Sequence, residues 1–309
     1  IILSTTARLF DPMGWLNPII ITAKVLLQKL WQEKICWDNH IPESFTKIWN
    51  QYIENLKDLT QISVPRWLGS SNNCQLYELH IFCDASNNAY SSAAYIRIPN
   101  NEDHYNSYLI MAKCKVAPIK QKLTIPRAEL CGAVLAVKLF KYLRNHLKYN
   151  INWNHVYFWT DSTIVLSWIN GEPSRWKIFI ANRIHKILQH SKPGQWNHVV
   201  SQENPADVSS RGITPKKLAK SNLWWKGPQW LQAPQSDWTI TDVYNADEDY
   251  KSEIKQVYLN IKEPNSKFTE IIEKFSSFTT LIRVFSYYRR FIQNCRKRTS
   301  TRCGSTLLT

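Results

Sequence analysis

"LHIFCDAS", residues 79–86, reads as a core strand that ends on an acid. Leu79, Ile81 and Cys83 alternate with His80 and Phe82, the period-2 pattern of a strand. Asp84 then stands where another apolar residue would fit, with Ala85, Ser86, Asn87, Asn88 and Ala89 after it. Working outward, a strand over 76–84 leads through a polar turn to "SSAAYIRI" (91–98) and then to "SYLIMAKCKVA" (107–117). "IPRAELCGAVLAVKLFKYL" (125–143) reads as a helix with Pro126 in its first turn. "HVYFWTD" (155–161) is a fourth strand and "STIVLSWIN" (162–170) a short helix closed by Gly171. "RWKIFIANRIHKILQ" (175–189) is a longer helix, with Trp176, Ile180, Ile184 and Ile187 on one face, and "QWNHVV" (195–200) is a fifth strand. The order β-β-β-α-β-α-α-β implies a mixed sheet with helices packed on it.

The flanks differ in character. "FDPMGWLNP" (10–18) is a turn-rich entry to a helix ending near Glu33, and Phe45, Ile48, Tyr52, Leu56 and Leu59 space a second helix over Glu43 to Leu59. Residues 60–75 are polar and mark a boundary. Residues 236–270, poor in large apolar residues and carrying "DEDY", read as a linker. The tail turns helical again, with Phe275, Phe278, Ile282 and Phe285 in helical spacing. From Arg283 onward it has seven basic residues and no acidic one, either a solvated end or a nucleic-acid contact.

With 39 Lys and Arg against 24 Asp and Glu, the 309-residue chain carries a net charge of +15, which points to a polyanionic partner, most simply nucleic acid. Seven scattered cysteines without C-x-x-C spacing argue against a disulfide framework or a cysteine zinc site and for a reducing compartment. No apolar run reaches the roughly 18–20 residues of a membrane span, and there is no signal peptide. The expected setting is intracellular, in cytoplasm or nucleus. The chain opens Ile-Ile-Leu without Met, as expected of a piece of a longer protein.

Four acids carry the chemistry. Asp84 and Asp161 end strands; Glu129 shares a helix face with Gly132, Ala133 and Ala136; Asp207 follows the fifth strand in "NPADVSSRG". Each has a bland reading: Asp84 as a turn residue, Glu129 paired with Arg127, Asp161 as the cap of the next helix, Asp207 as a turn or cap residue. Together they suit Mg²⁺ or Mn²⁺, hard cations that take oxygen ligands. Two such ions roughly 3.5–4 Å apart can activate water and stabilise the leaving oxygen of a phosphodiester. On the helix over 175–189, Arg175, Lys177, Arg183 and Lys186 are left for solvent or phosphates.

"FCDAS", "IPRAEL", "FWTDSTIVLSWI" and "NPADVSSRG", in that order, resemble a ribonuclease H domain, and most closely that of BEL/Pao-type retrotransposon polyproteins. Residues 3–32 followed by "CWDNHIP" resemble the segment joining reverse transcriptase to RNase H, and "FTTLIRVFSYYRRFIQNCR" (278–296) the stretch before integrase. The resemblance implies an α/β fold: an RNase H-like mixed five-stranded sheet flanked by helices over 71–235. A helical connection segment would occupy 1–70, a linker 236–270 and a basic helical tail 271–309. It implies that Asp84, Glu129, Asp161 and Asp207 bind two Mg²⁺ (or Mn²⁺) ions and cut the RNA strand of an RNA·DNA hybrid. Ser86, Arg127, Ser162, Arg175, Lys177, Arg183, Lys186 and Arg211 are the candidate substrate contacts. Other parts of a Pol polyprotein are expected partners, with no membrane and no small organic cofactor.

His198 is the nearest histidine before Asp207 and reads as a strand residue rather than the mobile histidine of many cellular RNases H. No Y-x-D-D occurs and no histidine follows His198, so neither polymerase nor integrase chemistry is expected. Two other classes stand beside the nuclease. One is a catalytically silent remnant that only binds nucleic acid or protein. The other is a transposase-type core, which would want a Glu about 35 residues after Asp161, where Trp196 stands.

Overall fold

The alternation in residues 77–85 produces a strand buried on both sides, because its two sets of side chains enter different cores. Leu79, Ile81 and Cys83 face one and Phe82 the other. This strand, β1 (Tyr77–Ala85), lies in the middle of the sheet, with β2 (Ala89–Asn101), β3 (His104–Val116), β4 (Ile151–Thr160) and β5 (Trp196–His198) in the order β3-β2-β1-β4-β5. β1, β2 and β3 are an antiparallel meander; β4 joins β1, and β5 joins β4, in parallel. A parallel join needs a crossover, which the chain makes with a long helix. The computed structural model describes residues 1–35, 39–65, 77–101, 104–119, 123–147, 151–238, 248–255, 274–275 and 277–296.

Helices cover both faces. Among the described residues the helices of the unit that holds the sheet are, in chain order, α1 (Ile2–Arg8), α2 (Asn17–Gln32), α3 (Glu43–Asn55), α4 (Ile125–His146), α5 (Thr163–Asn170), α6 (Ile178–Leu188), α7 (Pro205–Arg211), α8 (Pro215–Ala219) and α9 (Asn222–Lys226); α10 (Phe278–Arg296) belongs to a second unit. One face packs α4, α5 and α6, with Leu130, Ala133, Ala136, Ile180 and Ile184 in its core. The other packs Ile19 of α2, Ala206 of α7 and Trp224, Trp230 and Trp238 against Phe82 and Trp159. Among the described residues no helix is long and apolar enough to cross a membrane.

The elements match the sequence reading, with three corrections. The longer helix begins at Ile178 rather than Arg175: Pro173–Arg175 forms one tight turn, and Trp176 runs extended, bridging to Ile254. Trp176 still joins Ile180, Ile184 and Ile187 in the core. Next, the boundary near residue 70 does not separate the fold, since residues 1–255 form one compact unit. Met13 O accepts from Ala112 N (2.8 Å) on the edge strand β3, and Pro18 O accepts from Ile213 N (3.1 Å); an edge left unpaired would invite association. Finally, within the stretch read as linker, residues 248–255 hold to this unit, because Ile254 packs on the core and Glu253 is buried. Residues 239–247 and 256–270 of that stretch lie outside the described residues. The second unit, 256–309, contains α10.

Gly132 sets how closely α4 approaches β1. A Cβ at this position would stand 2.9 Å from the Asp84 carbonyl oxygen. Gly→Ala in a helix interior normally stabilises by about 0.8–1 kcal/mol. Here overpacking against backbone should outweigh that gain, and Gly132→Ala should destabilise by roughly 1–2 kcal/mol. Urea unfolding of the two proteins checks the sign.

Candidate active site

Parallel pairing of β1 with β4 sets Cys83 opposite Thr160. The next residue on each strand is an acid, so Asp84 and Asp161 emerge together at the carboxyl edge of the sheet, on strands about 4.8 Å apart. That edge is where open α/β sheets place their ligands. Asp161 does not cap α5: the cap is Ser162, whose hydroxyl accepts from Val165 N (3.2 Å), leaving the Asp161 carboxylate for the edge. Glu129 arrives from the first turns of α4, three residues before Gly132, on the face that comes close to Asp84. The Ser162 hydroxyl acts on the Glu129 carboxylate, opposing the rise that burial causes.

Asp207 lies in the first turn of α7, a helix capped by Asn204 (accepting from Ala206 N, 3.1 Å). Hydroxyl groups stitch α7 to the sheet. Ser91 Oγ donates to Ala206 O (2.6 Å), Ser86 Oγ to Ser210 O (2.8 Å), and Ser210 Oγ to Asp84 Oδ2 (2.5 Å). Asn204 Nδ2 donates to Cys83 O (3.0 Å) and reaches Asp161 Oδ1 (3.4 Å). One short helix thus touches both strand-end acids.

The four carboxylates act on one another. Burial pushes the Asp84 carboxyl up to about 7, the Asp161 charge and more weakly that of Asp207 add to the rise, and the Ser210 hydroxyl opposes it. Burial also raises Glu129; the Ser162 hydrogen bond holds it down and Asp161 pushes it up. The buried Cys83 thiol is pushed up by desolvation, then by Asp161, Asp84 and Glu129. On the rim, Arg211 Nε pairs with Asp207 Oδ1.

The other expected contacts divide. Arg175 and Lys186 are exposed, and Lys186 lines a cleft between α4 and α6 with Lys115, Lys138 and Arg183. Arg183 is not a free cation on that face: its guanidinium stacks on Phe179 (3.4 Å to the ring centre) and bonds Cys131 Sγ (3.3 Å). Lys177 Nζ donates to Ser252 O (2.8 Å), and Arg127 pairs with Glu253 rather than Glu129. Ser86 and Ser162 serve the turn and the α5 cap, and Arg211 serves Asp207. His198 is a strand residue opposite Thr160. Asn204 and Ser210 were missed; "NP" ahead of a helix signals the cap, and Ser210 lies three residues after Asp207, on its helix face.

Oxygen-only donors, with Asp84 crowded by like charge inside the fold, fit a hard divalent cation in chemistry. In spacing they are not gathered: among the described residues no three His, Cys, Asp or Glu side chains stand ready to hold a metal ion. Asp207 is turned to Arg211 and Glu129 to Ser162.

A family model described as "Pao retrotransposon-like RNaseH-like domain" matches residues 1–162. The chain belongs to this family. The match runs through residue 70, in agreement with the shared core of α2 and the sheet, and it includes Asp84, Glu129 and Asp161. It ends before α7, so the fold alone brings Asp207 of this Pao-type domain to the site. No curated protein matches the chain.

Asp84 ordinarily titrates near 3.8 and in the fold near 7. Between those values the folded chain keeps a proton that the unfolded chain has lost, so stability falls as pH rises from about 4 to 7. Asp84→Asn removes this penalty. In metal-free buffer the variant should exceed the parent by roughly 2–4 kcal/mol above pH 7, at about 1.4 kcal/mol per pKa unit, with the gap closing toward pH 4. Chemical denaturation across that range reads it.

Proposed function

We propose that this Pao-type domain is a metal-dependent ribonuclease H that cuts the RNA strand of RNA·DNA hybrids during retroelement reverse transcription. The observation that carries the reading is the meeting of Asp84 and Asp161 at the carboxyl edge of the paired strands β1 and β4, where burial first, and then the charges of Asp161 and Asp207, lift the Asp84 carboxyl to about 7. A cation relieves such crowding, and the +15 balance of the chain suits a polyanionic substrate.

Asp84, Glu129, Asp161 and Asp207 would hold one or two Mg²⁺ or Mn²⁺ ions. Ions bound there supply an activated water and neutralise charge that develops on the phosphate. The protein's own groups prepare the place. Ser210 orients Asp84, Asn204 reaches Asp161, and Ser162 steers Glu129. Arg211 retains Asp207 on the rim and would release it to a metal. Arg175 and Lys186 offer exposed charge to the phosphate backbone, with hybrid preference resting on groove shape and 2′-hydroxyl contacts. Other parts of a Pol polyprotein are the natural protein partners.

Purified protein with Mg²⁺ should cut a labelled hybrid and leave duplex DNA intact. Asp84→Asn should abolish cleavage while hybrid binding persists or tightens, because the pocket repels phosphate less. Cleavage by the variant at the parent's rate would remove the site assignment, and binding without cleavage by the parent would leave a nucleic-acid-binding module. Arg175→Ala with Lys186→Ala should lower the slope of log affinity against log salt by about 1–2, near 0.9 per lost phosphate contact.

A further inference from the structure

Residues 248–255 form a strap bonded to two of the cations expected to meet the substrate, Arg127 and Lys177. Arg127 Nε and Nη2 donate to Glu253 Oε1 (2.6 Å) and Oε2 (2.9 Å), a two-pronged pair. The Glu253 side chain is 11% exposed and Arg127 25%. Backbone bonds fasten the strap on both sides: Lys177 N donates to Glu253 O (2.9 Å) and Lys255 N to Arg175 O (2.7 Å). The Lys177 ammonium closes on Ser252 O (2.8 Å), and Ile254 bridges to the extended Trp176.

The chemistry of this contact is that of a phosphate site. A guanidinium offers a planar fork that takes a carboxylate or a phosphate in the same two-pronged way. Arg127 stands in the first turn of α4, the helix that also carries Glu129. Lys177, on the neighbouring segment, brings a second positive charge to the same strap. In sequence the strap is weakly acidic, with Glu248, Asp249 and Glu253 against Lys251 and Lys255.

We propose that Arg127 and Lys177 form a seat for a backbone phosphate of the nucleic acid. The Glu253 carboxylate fills that seat in the free protein, so the strap leaves when the polynucleotide settles. The inference rests on the nuclease reading of the acids and adds to it the place of one phosphate and a competitor inside the chain. A strap that occupies the seat most of the time lowers apparent affinity by the fraction of open molecules. Weakening it should therefore tighten binding.

Hybrid binding is measured on the full chain in metal-free buffer. Glu253→Gln keeps the shape and removes the charge, and should bind hybrid roughly 3- to 30-fold tighter, the open fraction rising by that factor. In Arg127→Gln/Glu253→Gln the gain should vanish, because the seat is gone. Hydrogen exchange on the unaltered chain gives a second reading that does not depend on how a variant folds. Adding hybrid should deprotect the Lys177 and Lys255 amides, whose acceptors lie across the strap contact. Parental affinity in Glu253→Gln, or hybrid bound with both amides still protected, overturns the seat while leaving a parent that binds and cuts hybrid as a nuclease. If neither protein binds hybrid, the nuclease reading falls and the seat falls with it.

Discussion

The pairing of Cys83 with Thr160 in a parallel register is the constraint on which the site depends. It makes Asp84 and Asp161 the next residues on adjacent strands, so one register fixes both in depth and direction. A slip of one residue would turn the acids to opposite faces. Because β1 is buried on both faces, the hydrophobic pattern fixes the register and the acids are carried along by it. The resulting electrostatic tension is visible in Asp84, whose carboxyl is held to about 7 by burial and by its neighbours. Functional sites commonly store such tension in shifted carboxyls.

The remaining pieces hold that arrangement in place. Gly132 lets α4 come against the end of β1 with Glu129 on its inner face. Asn204 and Ser210 tie α7 to Cys83, Asp161 and Asp84, which brings Asp207 over the same edge. α7 is in turn supported from behind by α2, where Gly212 adopts φ +81° with Thr22 and Pro18 close beside it. α2 is therefore a structural neighbour of the site, and the family match, which begins at residue 1, includes it.

Local pattern carried much of this. β1 to β4, α2 and α4 were legible from apolar period and helix-start prolines, as were the places of Asp84 and Asp161 at strand ends and of Glu129 on a small-residue helix face. What local pattern could not supply was contact between distant segments. Ser210 and Asp84 are 126 residues apart in sequence, and Arg127 and Glu253 also 126. Composition read the strap as linker because a single Ile254 and one buried Glu253 are enough to dock it on a surface already made. Arg183 looked like a free cation on a helix face, and only the fold shows Phe179 beneath it. The helix start moved from Arg175 to Ile178 because Trp176 is buried from an extended segment, which helical spacing imitates.

The central claim is that β1 and β4 press two acids together in the fold, and the titration of Asp84 tests it most directly. Carboxyl-detected NMR of the metal-free protein should show Asp84 titrating near 7. In Asp161→Asn the midpoint should fall toward, without reaching, its ordinary range, since burial persists and one neighbouring charge is gone. A parent Asp84 that titrates near 4, or one indifferent to Asp161→Asn, would contradict the account.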